Sequence, residues 1–542
     1  MPSLTAVPPQ AIVRTIAEQP ARWLLEITLH CAAAVVIGLL AARALRARHL
    51  HWSWTAVALA PALLAHSVLG GWLLTLVLAG LAAAVWGRRW HREDIDAGGE
   101  VGRIAGDRPG PVAFACRLLR LAAFRRRRAL AALLGSEAWF RGEELVLGRD
   151  ESARTVAIPF GGAGGGRHTL VLGATGSGKT VTETWITVRA IERGMGAVVI
   201  DPKGDPELRS ELARAAHVRG RAFLAWTPQG SSVYNPYARG GESEIADKVL
   251  AGERFTEPHY LRQAQRYLGH VVRALRASGA DVSLEGIVER LDPSRLELLV
   301  RELPERDAEA TYHYLDSLSA RQQSDLAGVR DRLAILAESD VGPWLDPRTS
   351  PAACFDLLEA VRARAVVYFE LQSDMRPLLA QMLGGAVVQD LLTTVAALQG
   401  RPVPTLVVID EFSAVAAEQV VRLFGRARSA GFSLLLGTQE ISDLRPPGRE
   451  RLLEQVIGNL SVLVAHRQVV PASAQLIASI AGSRSAWRVS RHSDGRSTRT
   501  GTREPVLESD RVLRLGPGWS AVIVPSRGDV RVTRVCSPRD GR

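Results

Sequence analysis

The chain has 542 residues, a formal net charge of +11 and a pI near 10.1, so it is too long for one ordinary domain and points to a polyanionic partner, either nucleic acid or an acidic membrane surface. Its four cysteines (Cys31, Cys116, Cys354, Cys536) match no CxxC or zinc spacing, and its twelve histidines include no HxxxH or HExxH pair. These spacings argue against a disulfide framework and a structural metal, and most of the chain reads as cytoplasmic. Of the 67 basic residues only Lys179, Lys203 and Lys248 are lysines. Guanidinium is a planar fork and ammonium a compact point charge, so a site that needs the point charge cannot drift to arginine.

From the N-terminus, Leu24–Ala42 is largely apolar and just long enough to cross a hydrocarbon core. Ser53–Trp86 is apolar for 34 residues, which as one helix would be about 51 Å long, too much for a single span. Gly70–Gly71 would suit a turn between two short spans, and Trp52, Trp54, Trp72, Trp86 and Trp90 fall where interfacial aromatics belong. With three spans, the arginine clusters Arg43, Arg46, Arg48 and Arg88, Arg89, Arg92 both lie in the cytoplasm and the N-terminus lies outside. With two spans the first cluster would lie outside, against the positive-inside rule. A helical stretch follows at Ala113–Leu134, carrying Arg125–Arg128, suited to anionic lipid headgroups, with contact to DNA as the alternative.

Thr169–Leu172 reads as a buried parallel strand that runs into Gly173-Ala174-Thr175-Gly176-Ser177-Gly178-Lys179-Thr180 and then into a helical stretch, Val181–Arg193. Strand, glycine loop and helix in that order make a P-loop. Its backbone N–H groups cradle phosphates, Lys179 reaches the β and γ phosphates of ATP, and the Thr180 hydroxyl ligates Mg²⁺. A second buried strand, Ala197–Ile200, ends in Asp201-Pro-Lys203-Gly-Asp205, which reads as a turn placed where parallel sheets bind ligands. A third, Thr405–Ile409, ends in Asp410, suited to hold Mg²⁺ through water, and Glu411, suited to orient the attacking water. A fourth, Phe432–Gly437, leads to Gln439, placed to sense the γ-phosphate. Arg426 and Arg428 precede that strand and could enter a neighbouring subunit's site as an arginine finger.

These motifs, with Tyr234–Pro236 (YNP), resemble the coupling ATPases of type IV secretion, the TraG/TraD-like family within the FtsK/HerA group of P-loop ATPases. The likeness runs from about His168 to Pro525, and its C-terminal part (Pro471–Gly482, Glu504–Gly518) resembles that family's relaxosome-protein recognition region. The resemblance implies an α/β, RecA-like P-loop ATPase with a mostly parallel central sheet, an inserted all-α domain and N-terminal transmembrane helices. Glu242–Leu345, rich in helical runs and free of strand pattern, suits the insertion. The implied domains are a membrane anchor over 1–92, a basic juxtamembrane segment over 93–150, the ATPase domain over 151–241 and 351–542, and the all-α domain over 242–350.

The resemblance also implies a multi-pass protein of the inner (cytoplasmic) membrane with its ATPase domain in the cytoplasm. It would assemble as a homohexamer that moves DNA without sequence preference, together with relaxosome or relaxase proteins, toward a type IV secretion channel. Lys179, Thr180, Asp410, Glu411 and Gln439 fall on the family's motif positions, and Arg428 fits the finger position better than Arg426. Three spans would depart from the family's two-span anchor. Nor is the C-terminal stretch acidic: from Arg484 to Arg542 there are 13 arginines against 6 acids. The polar run Arg484–Arg503 reads as a solvated loop. An FtsK-like chromosomal translocase and an ATPase driving protein export are the alternatives.

Overall fold

The computed structural model describes residues 9–57, 72–96, 110–162, 165–253, 255, 257–349, 353–415, 417–445, 451–491 and 497–541. The chain divides into two compact units, one of residues 1–123 with 487–501, the other of 124–486 with 502–542.

In the first unit, α1 (Pro9–Ala47) packs along α2 (Trp72–Asp96). Small residues let the two backbones approach: Ala34, Ala42, Ala79 and Ala83 are buried, and a methyl on Gly38 would stand 2.7 Å from both the Ala79 carbonyl and the Ala82 side chain. The Thr75 hydroxyl meets His30 Nδ1 at 2.7 Å near one end, and Arg46 pairs with Asp94 at the other. Contacts that advance in step along both helices mean that the two run parallel. Glu26–Ala47 is long and apolar enough to cross a membrane. The expected turn at Gly70–Gly71 lies outside the described residues. α3 (Pro111–Leu134) is the helix expected there; its residues from Phe124 on belong to the second unit, where Arg125, Arg126 and Arg128 are exposed and Arg128 pairs with Asp540 at 3.0 Å.

The second unit is built on a sheet of twelve strands: β1 (Phe140–Arg141), β2 (Glu144–Asp150), β3 (Thr155–Pro159), β4 (Thr169–Leu172), β5 (Gly196–Asp201), β6 (Phe223–Trp226), β7 (Val366–Glu370), β8 (Thr405–Ile409), β9 (Phe432–Thr438), β10 (Val462–Ala465), β11 (Trp519–Val524) and β12 (Asp529–Val535). Their order is β1-β2-β12-β11-β10-β4-β9-β8-β5-β7-β6, with β3 against β2. From β10 to β6 every neighbouring pair is parallel, and from β10 outward through β11, β12 and β2 the pairs are antiparallel. The central strands are buried on both faces, so they read as continuous apolar runs rather than alternating ones. One face is covered by α4 (Lys179–Glu192) and α5 (Pro206–Val218), the latter capped by Asp205, whose Oδ1 accepts from the Glu207 and Leu208 N–H groups at 2.8 and 3.1 Å.

Between residues 242 and 337 the described regular elements are all helices, joined by short loops: α6 (Glu242–Val249), α7 (Pro258–Ala277), α8 (Leu284–Arg290), α9 (Pro293–Arg301), α10 (Glu305–Asp316) and α11 (Ala320–Ala337). Tyr267, Leu268 and Val271 of α7 share one apolar cluster with Leu170 of β4 and Val198 of β5. The helices therefore extend the core of the sheet rather than forming a core of their own. α12 (Leu357–Arg362) precedes β7, and α13 (Pro377–Ala397) follows it. α13 is as long and apolar as a membrane span but is mostly buried in the same cluster, so it is a core helix.

Lys248, the third lysine, is fully buried on α6. Its ammonium donates to the Pro236 and Arg239 carbonyls at 2.9 and 2.6 Å and to Asp390 Oδ1 of α13 at 2.6 Å. The hydroxyl of Tyr234, in the YNP segment, donates to the other Asp390 oxygen at 2.7 Å. All three ammonium protons are used, which is why a compact cation is kept here.

One expectation is overturned. Arg484–Arg503 was expected to be a solvated loop, but Ser483–Arg491 and Ser497–Pro505 pair as a two-stranded ribbon. Pairing lets the backbone of both segments satisfy its own N–H and C=O groups, and a polar composition alone does not distinguish that from a loop.

Lys248→Met, which strands the Asp390 carboxylate, is expected to destabilise the chain by about 3–5 kcal/mol. Lys248→Arg should also lower the melting temperature, because a planar fork cannot meet three acceptors set around a point. Thermal denaturation followed by circular dichroism checks both.

Candidate active site

β4, β9, β8 and β5 lie side by side and parallel, so their carboxyl ends meet at one edge, where ligands of open α/β sheets bind. The loop after β4 is the P-loop. Gly176 and Gly178 have φ of +75° and +110°, a region side chains rarely enter, and this turns the backbone so that α4 starts at Lys179. The loop is tied to two neighbouring strands: Gly173 N–H donates to the Thr438 carbonyl at 3.2 Å and Ala174 N–H to the Arg467 carbonyl at 3.1 Å.

Lys179, 7% exposed, is paired with Asp410 and lies 3.4 Å from Glu411 Oε1 and 3.9 Å from Glu183 Oε1. Burial alone would push its ammonium down, but Glu183, Asp410 and Glu411 outweigh that and hold it above its ordinary value. The Asp410 carboxyl is raised by burial and by Glu411, against the pull of Lys179. Glu411 sits at φ +45°, a conformation sparsely used by non-glycine residues, and its N–H donates to Asp410 Oδ1 at 2.9 Å. Lys203 reaches the same Glu411 oxygen at 3.3 Å. Its loop is shaped by Asp201, which accepts from the N–H groups of Lys203, Gly204 and Asp205 and from the Tyr368 hydroxyl at 2.7–3.0 Å. Lys179 and Lys248 thus each sit at a cluster of acceptors, and Lys203 reaches one acid of the first cluster.

The expected residues converge. Gly173, Ala174, Thr175, Gly176, Gly178, Lys179 and Thr180 line a cleft of about 500 Å³ with Asp201, Lys203, Asp410 and Gln439. Ser177 is buried beneath the loop. A cleft with backbone N–H groups, an ammonium, a threonine hydroxyl and carboxylates gathered at one edge has the donors and acceptors that a nucleotide and Mg²⁺ require. Arg426 and Arg428 do not join it. Both are exposed before β9, at the amino end of a seven-residue strand whose other end reaches the cleft, about 20 Å away.

Three residues that the sequence did not assign to this site lie against it. His466, after β10, bonds through Nδ1 to the Trp519 carbonyl at 3.1 Å and through Nε2 to the Thr182 hydroxyl at 2.8 Å. A carbonyl only accepts, so Nδ1 carries the proton and Thr182 donates to Nε2. Burial holds the ring neutral, with a pKa of about 4. Gly518 N–H donates to the Ser177 carbonyl at 2.9 Å, and its backbone lies 3.2 Å from where a Gly178 methyl would stand. Glu183, one helical turn after Lys179, is 2% exposed. Burial first, and then the charge of Asp410, raise its carboxyl above the usual range.

Known proteins carry the same organisation. Residues 404–517 match the family model described as the TraM recognition site of TraD and TraG, and residues 165–218 match the central domain of the helicase HerA. No curated protein matches the chain. Among solved structures, the bacterial conjugative coupling protein TrwBdeltaN70 superposes with a TM-score of 0.57 at 16% identity, over 74% of this chain and 90% of that one. TrwB in complex with ADP and Mg²⁺ gives 0.51 at 18% identity, over 68% and 85%. VirB4 of Thermoanaerobacter pseudethanolicus gives 0.51 at 15% identity, over 74% and 99%. The structural neighbours share the RecA-like fold, and the two sequence matches make the chain similar, over residues 165–218 and 404–517, to the TraG/TraD-like coupling proteins of type IV secretion.

Proposed function

We propose that the chain is a membrane-anchored, hexameric motor that couples ATP hydrolysis to DNA transfer into a type IV secretion channel. The observation that carries this reading is the cleft itself, which gathers Lys179, Asp410 and Gln439, with Glu411 against Lys179 at its edge, in a chain matching a TraM recognition site. Lys179 exchanges its bonds to Asp410 and Glu411 for the β and γ phosphates of ATP, and both acids are released for chemistry. Thr180 and Asp410 would hold Mg²⁺, which when bound would supply positive charge against the phosphates. Glu411 orients the attacking water, and Lys203 keeps that carboxylate in place as Lys179 leaves. Gln439 reads the γ-phosphate at the end of β9. Arg428 is too far from its own cleft to serve it, which supports a role as a finger in the next subunit of a ring.

The parallel course of α1 and α2 supports an anchor of three crossings in the inner membrane, since parallel neighbours need a return between them. That arrangement leaves the ATPase unit in the cytoplasm. The matched recognition region supports relaxosome proteins as partners, and the net positive charge suits backbone contacts to DNA of any sequence. Domain limits at 92, 150, 241 and 350 belong to the same reading.

Purified full-length chain in detergent should hydrolyse ATP faster when DNA is added, and the stimulation should fall steeply with salt. No stimulation by single- or double-stranded DNA would favour a polypeptide cargo. Lys179→Ala is expected to abolish turnover, while Glu411→Gln keeps nucleotide binding and lowers kcat by roughly 10²–10⁴-fold. Arg428→Ala should cost about 10³-fold or more in kcat of the assembled ring with nucleotide affinity intact. An unchanged kcat would remove Arg428 from the mechanism.

A further inference from the structure

Glu183 occupies a place where a carboxylate is expensive. It lies on α4 one turn beyond Lys179, is almost fully buried, and its Oε1 makes no hydrogen bond among the described residues. Its nearest cation, Lys179, is 3.9 Å away and is already engaged by Asp410 and Glu411. A buried carboxylate oxygen left without a donor costs on the order of several kcal/mol unless something else supplies the donor.

The oxygen is aimed at Asp410. A methyl on Gly437 would overlap both Glu183 Oε1 and Asp410 Oδ1, so the two oxygens approach one point from α4 and β8. Residue 437 is glycine on β9 because that point is already filled. Asp410 and Thr180 are the residues suited to Mg²⁺, and both line the cleft. Mg²⁺ keeps most of its coordinated waters, and those waters are strong donors that need outer acceptors. An orphan acceptor beside a metal-holding carboxylate, on the buried side of the site, meets that need.

We propose that Glu183 is an outer acid of the Mg²⁺ site, accepting from a metal-bound water beside Asp410. This rests on the reading of the cleft as a nucleotide–Mg²⁺ site. It makes Glu183 a positioning residue that sets the affinity for Mg²⁺ rather than for the nucleotide. The assignment follows from the burial, the missing partner and the shared point at Gly437.

The test uses full-length chain in detergent and a fluorescent ADP analogue, titrated with Mg²⁺. Glu183→Gln keeps the shape and removes the charge. The Mg²⁺ concentration giving half of the metal-dependent gain in affinity should rise about tenfold or more, with affinity in EDTA unchanged. An unchanged Mg²⁺ requirement overturns the proposal. So does an equal loss of affinity in EDTA, which would show that Glu183 serves only to hold Lys179. If Glu183→Gln does not fold, Glu183→Asp, one methylene short, should give a smaller rise, and an unchanged value again overturns it. If the wild-type chain shows no Mg²⁺-dependent binding, the nucleotide-site reading itself falls, an outcome distinct from failure of the Glu183 assignment.

Discussion

Carboxylates are costly to bury at the edge of a sheet unless a cation sits among them, and here that cation is Lys179. Its ammonium faces Asp410, Glu411 and Glu183, contributed by two different elements, and Lys203 adds a second contact to Glu411. With the lysine in place the acids hold together at the ends of β4 and β8. The same lysine is the group that phosphates would draw away. On the proposed reading, resting structure and chemistry compete for one side chain, so that binding and rearrangement of the acids would be a single event.

The rest of the unit serves that edge. The parallel strands deliver their loops to it, α4 fills one face beneath the P-loop, and the helices from α6 to α11 extend the core on the other. Lys248 repeats the logic at a distance from the cleft. There too a compact cation is enclosed by carbonyls and one carboxylate, and it ties α6 to α13.

Much of this was legible from residues alone, because the chemistry is local. A P-loop needs its glycines, lysine and threonine in one short run, and the acids of β8 follow directly on an apolar strand. The legible features are those whose partners lie a few residues away. Lys248 stood out as a retained lysine, but its partner Asp390 lies 142 residues further on. Glu183 looked like any polar position on a helix, since only the approach of β8 and β9 buries it. His466 carries no motif at all, and Gly518 ends a segment whose resemblance points to partner recognition rather than to the phosphate loop. They meet the P-loop because β10 pairs beside β4 and β11 beside β10. The ribbon after Gly482 was missed for the opposite reason, since polar side chains hide a pairing made by the backbone.

The Gly518–Ser177 bond and the His466–Thr182 bond also set an order of assembly. The P-loop is complete in sequence at residue 180, yet its back wall is made of residues 466 and 518. A ribosome adding residues from the N-terminus at about 5–20 per second would need tens of seconds to supply them. Through that interval the first strands of the sheet exist without a finished loop behind them. The glycine loop, made early, therefore gains its back wall only once β10 and β11 have been made and have paired beside β4.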